Sequence, residues 1–378
     1  MQTQNWRFSN GALTLAIVAI MAVSLTTLAT AQSLEDARAI YASAAKEATN
    51  VDGVRIFAGP PKGFDPLAAT NQELASYGLP QRPDKAAEPK AYQMWERAML
   101  AAKHRAPAKL NVKSFSSTNL KVVKSESAGV SAAPSLATSL NWSGIASLNK
   151  NKKFNAKTSF QVVQSIFNVP VAQPPFGACT AGITGPFYEV TWNGIDGASN
   201  LDVVQGGSLS AADCLGNTFY EAWVEWYPSY NILAAFSVNP GDDMYVETLG
   251  APGTSTQTVY VEDITLQTFG TYSLPWVSGP GLVGSSAEYI VERPCCDGVG
   301  NPVPLANTIY GFFDGVANTG VKTVYPGSQA PTNFNITMVA DDGITQIEAV
   351  EAGSTGIQGL LSLWFSTEGC ASSGGCTP

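Results

Sequence analysis

Two stretches of this chain place carboxylates at alternate positions among aromatic residues. In FYEAWVEWYP (219–228), Glu221 and Glu225 share one face of an extended strand with Phe219, Trp223 and Tyr227, and Tyr220, Ala222, Val224 and Trp226 take the other, because strand side chains alternate. In AEYIVE (287–292), Glu288, Ile290 and Glu292 fall on one side and Ala287, Tyr289 and Val291 on the opposite one. Only 13% of the chain is charged, and a carboxylate among rings is costly unless it is hydrogen-bonded or at work. Acids placed this way suit general acid–base chemistry; a solvated strand face is the plain alternative. The sole histidine is His104, read as a surface residue of an upstream helix. The region after it therefore lacks the base of a Ser-His-Asp or Cys-His site and is a poor candidate for catalytic zinc. No cofactor or metal is expected.

The elements that must hold these acids are strands. From Leu140 onward, short runs of Val, Thr, Tyr, Phe and Trp alternate with Gly, Pro, Asn and Asp clusters: FYEVTWNG (187–194), MYVETL (244–249), TVYVEDITL (258–266), NTIYGFF (307–313), NITMVA (335–340) and TQIEAV (345–350). Many short strands without a long helical pattern predict an all-β sandwich or barrel. All six cysteines, Cys179, Cys214, Cys295, Cys296, Cys370 and Cys376, lie in this region. In an oxidising compartment they read as disulfides, with Cys370 and Cys376 closing a short loop. Zinc is disfavoured because no C-x-x-C occurs.

Upstream, residues 12–29 are apolar and Ala29-Thr30-Ala31 precedes Gln32, the pattern of a cleaved signal peptide spanning 1–31. Helices are expected over 33–48, where Ser33 and Asp36 make a cap, and over 86–104, with a linker over 106–140. Residues 32–137 carry 14 Lys+Arg against 10 Asp+Glu, whereas 138–378 carry 6 against 20. A basic leader thus precedes an acidic region that is ill suited to nucleic acid. Asn141 and Asn335 head N-x-S/T sequons.

Four motifs occur in order: Asn141-Trp142-Ser143-Gly144, Trp192-Asn193-Gly194-Ile195-Asp196-Gly197, Ala222-Trp223-Val224-Glu225-Trp226-Tyr227-Pro228 and Ala287-Glu288-Tyr289-Ile290-Val291-Glu292, with FNVP at 167–170 between the first two. Over roughly 140–293 the chain resembles the glutamic peptidases, or eqolisins, a family of secreted acid endopeptidases. The resemblance implies an antiparallel two-sheet β-sandwich of the concanavalin-like or jelly-roll type, over 136–378, with the site on its concave face. It maps the catalytic Glu onto Glu288 and the catalytic Gln onto Gln205, in LDVVQGG (201–207). Supporting positions carry over to Asp196, Trp223, Glu225 and Glu292, with Trp192 and Trp142 in the flanking motifs. Three departures stand out: Asn193 replaces an aliphatic residue, Leu209 stands where better-known members have an Asp, and 171–187 is a longer loop.

The resemblance implies that Glu288 acts as base and then acid on an attacking water, with Gln205 at the oxyanion. Protein and peptide substrates, an acidic optimum and a monomer are expected. The protein would be secreted, extracellular or periplasmic, without stable membrane association after signal cleavage. Residues 32–135 would be a partly helical propeptide that inhibits the enzyme intramolecularly, its positive charge held against an acidic cleft until acid releases it. The rivals are a carbohydrate-binding or glycoside-hydrolysing sandwich that uses Glu225 and Glu288 as its pair, and an inactive secreted binding protein.

Overall fold

The computed structural model describes residues 39–126, 135–149, 153–155, 157–250, 254–295, 302–309, 312–319, 323–325, 333–344, 346–352 and 360–365. In chain order the main strands are β1 (Trp142–Leu148), β2 (Val162–Asn168), β3 (Phe187–Ile195), β4 (Val203–Ala212), β5 (Thr218–Tyr227) and β6 (Leu233–Ser237). They continue as β7 (Asp243–Leu249), β8 (Thr256–Asp263), β9 (Thr268–Pro275), β10 (Ser286–Glu292), β11 (Phe312–Asn318) and β12 (Asn333–Val339). The front layer runs β12–β1–β10–β3–β4–β5–β6, antiparallel throughout. The back layer runs β11–β2–β7–β8–β9, also antiparallel. Two further strands, Gln346–Ala352 and Leu360–Phe365, join β12 to β11 and close the layers along one side. This is the two-layer antiparallel sandwich that alternation and resemblance predict.

Alternation decides what lies between the layers. Ile145, Ile195, Val204, Val224, Trp226, Tyr289 and Val291 point inward from the front sheet and meet Val163, Phe167, Met244, Val246, Val259, Val261 and Tyr272 of the back sheet. Burial of such apolar area, at about 25 cal/mol per Å², holds the sheets together. Asn193 also faces inward. Its amide donates to Ser165 Oγ (2.7 Å) and the Val246 carbonyl (2.9 Å), and its Oδ1 accepts from Thr248 Oγ1 (2.9 Å). The polar departure is therefore a fully bonded bridge between the sheets. The long 171–187 loop is fastened by the Cys179–Cys214 disulfide and by pairing of Val171–Gln173 with Asn307–Ile309. The expected single strand over 307–313 is thus divided between Asn307–Ile309 and β11. Cys295 is also disulfide-bonded. Cys296 and the expected Cys370–Cys376 loop lie outside the described residues.

The leader does not form a core of its own. Helix α1 (Asn71–Ser76) starts with a reciprocal Thr70–Glu73 capping box, a T-x-x-E signal that the sequence reading passed over. Helix α2 (Pro89–Ala101) has Pro89 in its first turn, where a missing N–H costs nothing. Its Met94, Trp95, Ala98 and Met99 lie in one cluster with Leu74 and with Ile166, Tyr245, Tyr260 and Phe269 from the outer face of the back sheet. Residues 39–44 are helical, and the Ser33–Asp36 cap and the 1–31 signal segment lie outside the described residues. His104 is exposed but sits in a two-residue strand beside β9, not in a helix. The described parts of the stretch 106–140, read as linker, are instead bonded into the fold. Asn111–Val112 pairs with β6, and Val122–Glu126 with Ser135–Ser139, which lies beside β12. Ser116, Ser117 and Thr118 bond at long range, which local composition does not show. Among the described residues no helix is long and apolar enough to cross a membrane.

Candidate active site on the outer face of the front sheet

Register builds the site. Gly194 of β3 lies opposite Glu288 of β10 on one side and opposite Gln205 of β4 on the other. Gln205 in turn lies opposite Glu225 of β5. Directly opposed residues share a face, so Glu288, Gly194, Gln205 and Glu225 form one row across four strands. At about 4.8 Å between strands, the Cα atoms of Glu288 and Gln205 are about 10 Å apart, with only a glycine between them. The adjacent row holds Ile290, Trp192, Gly207 and Trp223, and the one beyond it Glu292, Val190, Leu209 and Glu221. Trp142, Trp192, Trp223, Ile290 and Leu209 are buried together on this face, and Trp142 meets the Trp192 ring edge-on at 4.9 Å.

The polar groups divide into two sets. Gln205 Nε2 donates to Glu225 Oε2 (3.1 Å). An amide nitrogen has two protons, so this contact fixes the amide and leaves one proton for other use. Glu292 accepts from the Trp192 indole (3.0 Å), the Asn141 amide (3.3 Å) and the Thr118 backbone N–H (2.9 Å). Burial pushes Glu292 up to about 8, against the pull of those donors. Glu225 is raised well above the usual carboxylate range by burial and then by the charge of Glu292.

Glu288 stands apart. It is fully buried, and burial, followed by the charge of Asp196, raises it well above the ordinary value. The Ser286 side chain and the Ala198 backbone act in the other direction. Neither reaches hydrogen-bond geometry, so among the described residues both carboxylate oxygens lack a partner. Asp196 works behind it. At φ 69° it occupies the left-handed region, which Asp tolerates better than most residues. Its carboxylate accepts from the N–H groups of Val283 (2.6 Å), Gly284 (2.8 Å) and Ser285 (2.6 Å) and from Ser285 Oγ (2.7 Å). Asp196 thus anchors the loop that feeds β10 and presents Glu288. Trp223 contributes apolar floor, and its indole N–H has no partner among the described residues.

The leader enters this cleft. The Ser117 N–H donates to Glu225 Oε2 (3.0 Å), and Ser117 Oγ donates to Gln205 Oε1 (3.1 Å) and contacts Glu292 Oε2. One hydroxyl proton faces two acceptors, a shortage that a Glu292 retaining its own proton relieves. Sequence reasoning missed Ser117 and Thr118, because nothing local in SFSST marks a contact made more than 80 residues away. It named Asn141 as a sequon, but that residue is buried with its amide committed to Glu292, Thr118 and Asn119, so it does not stand open to a glycan. The leader's cations were expected in the cleft. Lys113 pairs with Glu221 at its rim, but Lys90 reaches Asp314 (2.8 Å) and Arg97 reaches Asp243 on the back sheet.

Comparison with known proteins places this arrangement. Over 168 residues the chain is 26% identical to aspergillopepsin-2 of Aspergillus niger, an overlap of 43% of this chain and 56% of that protein. Over 137 residues it is 28% identical to scytalidopepsin B of Scytalidium lignicola, covering 36% of this chain and 47% of that protein. The chain therefore spans about half the length of these relatives. The crystal structure of scytalido-glutamic peptidase with a transition state analog inhibitor superposes with a TM-score of 0.47 at 19% identity, covering 60% of this chain and 98% of that one. The family model of the Peptidase A4 family matches residues 140–357, more than half of the sequence and the whole of the acid-bearing front sheet, and the chain belongs to that family.

Proposed function

We propose that this protein is a secreted acid endopeptidase, made as a zymogen, in which Glu288 and Gln205 form the catalytic dyad. The observation that carries the reading is the row Glu288–Gly194–Gln205. It sets an unpartnered buried carboxylate beside an amide of fixed orientation, with only a glycine separating them. In this reading Glu288, once ionised, takes a proton from water, and the water oxygen bonds to the scissile carbonyl carbon. The free N–H of Gln205 donates to the oxygen that gains charge. Glu288 then passes the proton to the amide nitrogen as the C–N bond breaks, releasing an amine and a carboxylic acid. Glu225 orients Gln205, and Trp192 and Asn141 hold Glu292. A glycosidase pair is disfavoured by the commitments of Glu225, whose Oε2 accepts from Gln205 Nε2 and the Ser117 N–H, and by Gly194 and Gln205, which stand between it and Glu288 in the row.

The zymogen reading is supported by Ser117 and Thr118, which take up Gln205, Glu225 and Glu292. With the leader seated, burial raises Glu225 and Glu292 above the usual carboxylate range. Digestion of a denatured protein at about pH 3.5, near where a free Glu begins to titrate, tests the function. The full-length chain should degrade the substrate. Glu288→Gln should lose activity by at least about 10³-fold and Gln205→Ala by about 10²–10³-fold, with both folding normally by circular dichroism. Undiminished activity in Glu288→Gln would remove Glu288 from the mechanism.

A further inference from the structure

We infer that the cleft has two side-chain subsites, marked by the leader, that select an extended peptide carrying a cation, any residue and then an aromatic residue. The inference rests on the peptidase reading and names its substrate class. Residues 113–117 run over the outer face of the front sheet, bending at Ser114 and Phe115, and are bonded on both sides. On one side the Lys113 N–H donates to the Ile232 carbonyl (2.9 Å) and the Ile232 N–H to the Phe115 carbonyl (3.3 Å); on the other, Ser116 and Cys295 exchange backbone bonds. A chain held by its backbone in this way is read through the side chains it turns onto the cleft, here those of Lys113, Phe115 and Ser117.

Each of the three meets a different surface. Ser117 reaches Gln205, Glu225 and Glu292, at the centre of the proposed dyad. Two residues back, Phe115 is buried with its ring 4.7 Å from that of Tyr188, and it belongs to the apolar cluster that includes Leu209 and Val190. Leu209 keeps this pocket apolar, where a carboxylate would oppose a ring. Two residues further back, Lys113 pairs with Glu221, and its ammonium lies 5.1 Å from the centre of the Phe219 ring. A carboxylate and an aromatic face together suit a Lys or Arg side chain.

Two measurements on the full-length chain test this. In the first, acid-activated protein digests a complex peptide mixture and the cut sites are mapped by mass spectrometry. We expect Phe, Tyr or Trp enriched at least fivefold at a fixed position before the cut, with Lys or Arg enriched two residues earlier, and Glu221→Gln should abolish the basic preference alone. A profile flat at both positions overturns the inference while leaving the peptidase reading intact. The second needs no turnover. In Lys113→Ala and Phe115→Ala chains carrying Glu288→Gln, hydrogen exchange of the 113–118 amides should accelerate by about tenfold or more, with β7 and β8 unchanged. Unchanged exchange overturns the inference even where no substrate is cut.

Discussion

Gly194 sets how the two proposed catalytic side chains stand relative to each other. A Cβ there would lie 2.9 Å from the Val204 carbonyl oxygen, 3.0 Å from Gln205 Cβ and 3.0 Å from the Trp192 ring. Gly194→Ala should therefore displace Gln205 more than it unfolds the sheet. Since a shift of about 1 Å can cost about 10²-fold in rate, kcat should fall by about tenfold or more with little change in KM or melting temperature. Equal losses of activity and folded protein would mean that the glycine serves packing alone. At this scale the sequence showed which residues could matter but not their partners. Alternation put Glu225 with Trp223 and Glu288 with Glu292, and the motifs supplied Gln205. Neither could reveal that Asn193 bonds across to Ser165 and Val246, or that Ser117 lies against three of the site's polar side chains, because those partners are distant in the chain.

Strands were the most legible elements, because a half-buried sheet writes its two faces into the sequence with period two. FYEAWVEWYP became β5 with Trp226 inward and Trp223 outward, as its pattern demands. Elements of the leader were harder to read. A run of helix formers after Pro89 announced α2, but what its apolar side packs against is a sheet more than 60 residues away. Trp95 is fully buried there and donates from its indole to the Pro80 carbonyl (2.8 Å). Trp95→Ala should cost about 3–5 kcal/mol. The loss should appear as a lower melting temperature of the whole chain, together with faster hydrogen exchange in β7, β8 and β9. Destabilisation confined to the 71–101 amides would show that the leader and the back sheet unfold separately.

Across the whole molecule, buried acids set the response to pH. Burial raises Glu189 and Glu292 to about 8 and Glu247 to about 7, and lifts Glu225, Glu262 and Glu288 well above the usual range. A carboxyl that keeps its proton when folded, but loses it near pH ~4.3 when unfolded, contributes full stability below that value. The contribution is lost as pH rises through the folded pKa. The exposed ion pairs act in the opposite direction but contribute at most about 1 kcal/mol each. Thermal unfolding of the full chain bearing Glu288→Gln should therefore give its highest midpoint near about pH 4–5 and a steady fall toward about pH 8. A midpoint that rises over that range would show that the acids are ionised inside the fold. The two-residue strands of the leader carry a separate consequence. Asn111–Val112 borders β6, while Arg55–Ile56 and His104–Arg105 border β9. Each covers part of a rim where N–H and C=O groups would otherwise be open to pairing with a second copy of the chain. The leader thereby covers edges that would otherwise favour self-association, a risk that would grow with protein concentration in a chain lacking it.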